Sequence, residues 1–274
     1  MREANIIKRE YSGGALRIAF FSDLHIDSTG CDIEKLSNDL MAEKKAGARI
    51  LINGDLVDGI LPKDFKRYSR GGDRGGTDAK LNEIVDLCVA VLLPVADCID
   101  VIGSGNHEES ILKYHAFDIT RAIIEQIRLR TGHVIRQAGY RGFVKYEMQH
   151  TSGGNKRSKT IFMHHGKGGS APVTKGMIDL ARLYTQFGSA DILWVGHKHT
   201  DITDRSSPSV ELSHSGQLVT RDRVAFITPG YHKSIKMEEG PASCIFEDHF
   251  YGVNPTGYKA INWHLYKDRM EVIS

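Results

Sequence analysis

The chain has 274 residues and 36 Lys plus Arg against 34 Asp plus Glu, a net charge of +2, so overall charge gives no ground for a polyanionic partner. A core of this size needs no disulfide staples, and Cys31, Cys88, Cys98 and Cys244 form no C-x-x-C pair, which predicts a reduced, cytoplasmic setting. The amino terminus lacks the apolar centre of a signal peptide, and the most apolar stretch, 85–102, is broken by Asp86, Pro94, Asp97 and Asp100, so no membrane span is expected.

In chain order, Leu16–Phe21 reads as a buried strand, Ile33–Lys45 as a helix and Arg49–Ile52 as a second strand. A Gly-rich, basic insertion spans 59–79, followed by a helix over Ala79–Ala96 and a strand at Ile99–Ile102. Phe117–Arg130 has helical periodicity, with Ile119, Ala122, Ile123 and Ile127 on one face. Arg141–Gln149 and Lys159–Met163 flank Thr151-Ser152-Gly153-Gly154-Asn155, a hairpin signal. Lys175–Phe187 follows as a helix and Asp191–Val195 as a strand. Beyond Thr200 the chain turns to β character at 210–219, 223–228, 242–250, 257–265 and 270–273. It carries no second set of chemical motifs, so 200–274 is expected to form the other half of a sandwich within one domain spanning 1–274. The early β-α-β alternation predicts a largely parallel arrangement, whose ligands bind beyond the carboxyl ends of the strands.

Five polar motifs stand just past five strand ends: Asp23-Leu24-His25, Gly54-Asp55-Leu56-Val57-Asp58, Gly105-Asn106-His107-Glu108, Met163-His164-His165-Gly166 and Gly196-His197-Lys198-His199. Taken singly, the first three read as polar turns. The spacing of two between His197 and His199 puts both imidazoles on one face. Convergence of all five on one sheet rim would gather carboxylates, an amide and several imidazoles, the donor mixture of a paired metal centre.

The ordered set D-x-H, G-D-x-x-D, G-N-H-[DE], H after a strand, and G-H-x-H resembles the calcineurin-like metallophosphoesterase superfamily, over Leu16 to about Thr200. The resemblance implies an α/β fold, a four-layer αββα sandwich of two mixed β-sheets flanked by helices. It assigns Asp23, His25 and His199 to one metal ion, Asn106, His164 and His197 to a second, and Asp55 to both. His164 is taken over its neighbour because the ligand follows directly after the apolar strand residues; His165 is expected behind the ligands or near substrate. The cofactor implied is two divalent ions, Mn first, Fe or Zn next.

Such a pair supplies hydroxide near neutral pH for in-line attack on phosphorus. His107 matches the histidine that assists the leaving group, and Asp58 and Glu108 are expected to orient it or the ligand imidazoles. The implied activity is that of a phosphodiesterase, nucleases included, since His25 and the basic insertion resemble the diesterase and repair-nuclease branches. The alternatives are a phosphomonoesterase of the same fold and a non-catalytic metal- or nucleic-acid-binding scaffold. Protein phosphatases of the superfamily carry Arg-Gly where this chain has Gly59-Ile60, which points away from phosphoprotein substrates. Lys63, Lys66, Arg67 and Arg70 of the insertion, and Lys167 of Gly166-Lys167-Gly168-Gly169-Ser170, are expected to contact substrate phosphates, with DNA, RNA or a nucleotide as partner and no membrane.

Overall fold

A computed structural model describes residues 5–11, 14–60, 80–153, 156–169, 173–205, 208–213, 215–233 and 255–273. The first sheet contains β2 (Ala15–Phe21), β3 (Arg49–Ile52), β4 (Ile99–Ile102) and β5 (Arg136–Gln137), all parallel. Two antiparallel strands extend it beyond β2, namely β13 (Lys259–His264) and β14 (Arg269–Ile273). The second sheet runs β1 (Asn5–Tyr11), β6 (Arg141–His150), β7 (Lys156–His164), β8 (Ile192–Val195), β12 (Val224–Ile227) and β9 (Ile202–Asp204), in that spatial order. A separate ribbon pairs β10 (Ser209–Leu212) with β11 (Leu218–Arg221).

Apolar alternation explains the layers. Ile18 and Phe20 of β2 face Ile161 and Met163 of β7, Trp194 of β8 and Phe226 of β12 in a core between the sheets, and Phe20 meets Trp194 edge to face at 5.1 Å. Ala19 and Phe21, one residue out of phase, point the other way, against the helices α1 (Ile33–Lys45), α2 (Lys80–Leu92) and α4 (Ile119–Thr131). The helix α5 (Met177–Gln186) covers the outer face of the second sheet through Leu180, Leu183 and Tyr184. Four layers result: helices, sheet, sheet, helix. No described helix is long and apolar enough to cross a membrane.

Buried Asp100 of β4 crosses the interior. It accepts from Arg49 of β3 at 2.5 and 3.0 Å, Arg9 of β1 at 2.8 Å and the Tyr146 hydroxyl of β6 at 2.8 Å, tying one sheet to the other.

Three expectations are corrected. The described residues of 200–274 do not form one half of the sandwich: β9 and β12 join one sheet and β13 and β14 the other, while β6, β7 and β8 make the centre of the second sheet. The strand expected over 210–219 is a hairpin, turned at Gly216. The helix expected over Ala79–Ala96 stops at Leu92 and tightens into a 3-10 turn, because Pro94 cannot donate to the helical ladder. Helix α3 (Asn106–His115), which begins inside a motif, is an element beyond those expected. The strand expected over 242–250 lies outside the described residues.

Candidate metal centre

The five motifs leave two sheets and not one. The loops after β2, β3 and β4 come from the first sheet, those after β7 and β8 from the second, and they meet at the shared rim. The loops after β2 and β3 are zipped together by Asp23 N to Gly54 O (3.1 Å), His25 N to Asp55 O (3.0 Å) and Ile26 N to Leu56 O (2.9 Å). Across the sheets, His197 N donates to both carboxylate oxygens of Asp23 at 2.9 Å.

Backbone strain is concentrated here. Among the described residues eight non-glycines have positive φ, and five of them are Asp23 (53°), His25 (46°), Asp55 (47°), His197 (65°) and His199 (48°). Each such residue costs roughly 1–3 kcal/mol, a cost that persists only where the surroundings over-determine it. Glu108 is the main brace. As the third residue of α3, its carboxylate accepts from Gly105 N (2.6 Å), Asp55 N (3.0 Å) and Leu56 N (2.7 Å), so one buried side chain holds two loops. A side chain at Gly105 would lie 2.1 Å from Asp55 Oδ1, so only glycine lets the loops close. His107 N donates to that same oxygen at 3.0 Å.

Three overlapping groups of donor atoms result: Asp23, His25 and His199; His25, Asp55 and His107; Asp55, His165 and His197, with the atoms of each group within 4.8 Å of one another. Asp55 belongs to two of them. His165 Nε2 lies 3.0 Å from Asp55 Oδ2 and 3.2 Å from Asn106 Oδ1, which brings Asn106 to the same place. Nδ1 of His165 donates to Asn53 O at 2.9 Å, so Nε2 is the nitrogen turned to the group.

His164, the histidine expected here, lies apart from these groups. It ends β7 with its ring on the other side, half-buried, edge-on to Tyr140 and with Nδ1 accepting from Gly166 N at 2.8 Å; fully buried His165 takes the inward place. Adjacent side chains leave a strand on opposite faces, and apolar spacing alone does not say which face meets the rim.

The other expected residues fall as follows. His107 stands 3.9 Å from Asp55 Oδ2 through Nε2, and its Nδ1 donates to the main-chain oxygen of Asp58 at 2.6 Å. The Asp58 carboxylate lies 3.2 Å from His25 Nδ1 and 3.5 Å from His107 Nδ1, so it serves both rings. The hydrogen bonds of the Glu108 carboxylate among the described residues go to backbone N–H groups. Lys167 is exposed on the loop after His165. Lys63, Lys66, Arg67 and Arg70 lie outside the described residues.

Four contributors escaped the motif reading. Asn53 holds both tandem histidines, donating to His164 O at 3.0 Å and accepting from His165. Asp27 accepts from Asp58 N and Gly59 N at 2.5 and 2.9 Å; its place two residues after His25 was the available signal. His232 meets the His25 ring edge-on at 5.8 Å, and Tyr140 lies edge-on to His165 at 5.3 Å; both are remote in sequence and carry no local signal.

The charges are strongly coupled. Burial disfavours a charged His25, yet Asp58, Asp55 and Asp23 overcome it and lift the imidazole to about 9. Burial likewise opposes a charged His165, which Asp55 and Asp23 lift to about 10. Asp55 is held well below the carboxylate range, against burial, by His107, His165 and His25. Burial pushes Asp23 up, and burial followed by the charge of His25 pushes His199 well down. Among the described residues, buried Nε2 of His25 has no hydrogen-bond partner. Imidazole, carboxylate and amide oxygen, with no thiolate in any group, suit hard to borderline divalent ions, so the residues fit a metal pair.

The family model for calcineurin-like phosphoesterases matches residues 16–201. Solved structures similar to the chain include the calcineurin-like phosphoesterase YfkN from Bacillus subtilis, at 13% identity over 92% of this chain and 85% of that one, with a TM-score of 0.42. A metallophosphoesterase from Sphaerobacter thermophilus is 15% identical over 94% and 87%, with a TM-score of 0.33. A conserved uncharacterized protein and predicted phosphoesterase from Streptococcus pneumoniae TIGR4 is 14% identical over 95% and 98%, with a TM-score of 0.33. No curated protein matches the chain.

Proposed function

The chain belongs to the calcineurin-like phosphoesterase family of metal-dependent hydrolases, and from that premise we propose that it cleaves phosphodiesters, nucleic acids or nucleotides among them, at a centre of two divalent ions. In this reading Asp23, His25 and His199 hold one ion, Asn106, His165 and His197 the other, and Asp55 both. The observation that carries it is that the donor groups form a chain: His25 links Asp23 and His199 to Asp55, and Asp55 links on to His165 and His197. Bound ions of this kind polarise a phosphoryl group and lower the pKa of nearby water to about 7.

His107 donates the proton to the leaving alkoxide. Its Nδ1 is engaged by Asp58 O, so Nε2 is the nitrogen presented to the leaving oxygen. Asp58 keeps that ring and His25 in register. Diester preference rests on His25 and on the basic insertion, where Lys63, Lys66, Arg67 and Arg70 would join Lys167 in contacting substrate phosphates. Mn is the ion of choice for a set with two carboxylates, one amide and no thiolate; Fe and Zn accept the same donors. The whole chain, 1–274, is read as one such domain acting in the cytoplasm.

The test compares bis(p-nitrophenyl) phosphate with p-nitrophenyl phosphate, using chelator-stripped protein refilled with Mn²⁺ and an Asp55→Ala control. Diester cleavage that requires both the metal and Asp55 supports the reading. Preference for the monoester makes the protein a phosphomonoesterase, and metal binding with turnover of neither ester makes it a scaffold.

A further inference from the structure

Between His197 and His199 in the chain stands a buried lysine, only 7% exposed. Lysine is among the residues least often buried, so its surroundings must compensate it. Lys198 Nζ donates to the main-chain oxygens of Lys167 (2.7 Å), Gly168 (2.8 Å) and Gly169 (3.1 Å) and lies 3.2 Å from Asp179 Oδ2 of α5. An ammonium has three N–H donors, and three successive carbonyls take them while Asp179 balances the charge. The loop wraps the ammonium as it would a small cation.

That loop starts at the metal centre. It follows His165, and Gly166 passes so close to the β8 loop, with φ at +113°, that a side chain there would lie 2.8 Å from Gly196 O and from His197 Cβ. The Tyr140 hydroxyl donates to Gly166 O on the other side. Lys167, Gly168 and Gly169 are themselves exposed. Among the described residues the clamp supplies the side-chain hydrogen bonds to 167–169, and a glycine-rich segment needs such restraint because glycine loses more conformational freedom on ordering than any other residue. Three carbonyl oxygens left to wander beside a phosphate site would also repel the anion; turned onto Nζ they do not.

Building on the two-ion reading above, we propose that Lys198 is a positioning residue. It fixes residues 166–169 against His165 and His197 as one wall of the substrate site, and so sets affinity for the phosphate group of the ester. Because Asp179 cancels its charge, the clamp contributes shape more than attraction.

The experiment uses full-length, Mn²⁺-loaded protein and the variants Lys198→Met and Lys198→Arg. It measures inorganic phosphate binding by calorimetry, hydrogen exchange of the 166–169 amides, Mn²⁺ affinity, and KM and kcat on the chromogenic diester. Lys198→Met is expected to weaken phosphate binding and raise KM on the order of tenfold, the size of a lost charge-assisted contact, with kcat and Mn²⁺ affinity changed less than about threefold. Exchange in the loop should accelerate, and Lys198→Arg, which keeps charge and donors, should recover much of the loss. Unchanged phosphate affinity and exchange, or loss of Mn²⁺ in parallel with KM, would overturn the proposal. Should Lys198→Met not fold, Asp179→Asn is expected to move phosphate affinity and exchange in the same direction by a smaller factor, and no movement overturns it equally. A wild-type protein that turns over no ester sinks the phosphodiesterase reading alone, since phosphate binding and amide exchange judge the clamp without turnover.

Discussion

His165 Nε2 lies 3.0 Å from Asp55 Oδ2, whereas His164, one residue earlier, turns its ring towards Tyr140 and accepts from Gly166 N. The tandem histidines therefore have separable roles. His165→Ala should lose one of two bound Mn²⁺ and at least roughly 10²-fold in diester turnover, more than the 10- to 100-fold that removing a mere outer partner costs. His164→Ala should keep both ions and stay within about fivefold of wild type. Metal content by mass spectrometry and steady-state rates check the pair, and the reverse ranking would restore His164 as ligand.

The His107 ring is held through Nδ1 by Asp58 O, with Nε2 on the side of Asp55. His107→Gln should lower kcat by roughly 10²–10⁴-fold on esters with poorly departing alkoxides while both ions remain bound. The loss should shrink for a p-nitrophenolate leaving group, which needs no proton. An equal loss on both substrates would argue against proton donation.

Glu108 accepts from four backbone N–H groups, those of Asp55, Leu56, Val57 and Gly105, and so joins two loops, one of which carries the strained Asp55. Glu108→Ala strands those donors in a buried place, and unpaired buried donors cost about 1–3 kcal/mol each. A stability loss of about 3 kcal/mol or more in urea unfolding is expected, together with weakened metal binding, because Asp55 is fixed by the same carboxylate. A loss under about 1 kcal/mol would show that the loops hold themselves.

Asp100 is kept charged against burial by Arg49 first and then Arg9, which hold its carboxyl below the ordinary range. A depressed folded-state pKa means that its contribution is complete above the unfolded value of about 3.9 and is lost as pH falls through the folded value. Asp100→Asn should thus cost about 3 kcal/mol at neutral pH, the scale of breaking a buried pair, since Arg49 would be left facing an amide. The gap between wild type and variant should narrow as the pH is taken below about 4. Urea titrations at both ends of that range check it, and a constant gap would assign the cost to packing.

Much of this site was legible in the order of residues along the chain. Apolar runs ended by Gly or a polar residue mark strand ends, and Asp23, His25, Asp55, Asn106, His107, His197 and His199 stand just past them, where the structure brings them together. Helix α1 was readable to its ends because Asp32 caps it and its periodicity is unbroken. Less visible was Glu108, whose motif position suggested work on an imidazole; its grip on backbone N–H groups depends on α3 starting at Asn106.

Local pattern by itself determined the candidate donor types, their attachment to strand ends and the alternation of sheet and helix, since period and turn chemistry act over a few residues. Tertiary structure alone decided that the motifs divide between two sheets, that β13 and β14 return to the first of them, and that His165 faces inward. Those outcomes depend on which strand edges pair and which face of β7 meets the core between the sheets. Contacts between residues a hundred or more positions apart, such as His165 to Asn53 or His197 to Asp23, settle them, and no local propensity encodes such pairings.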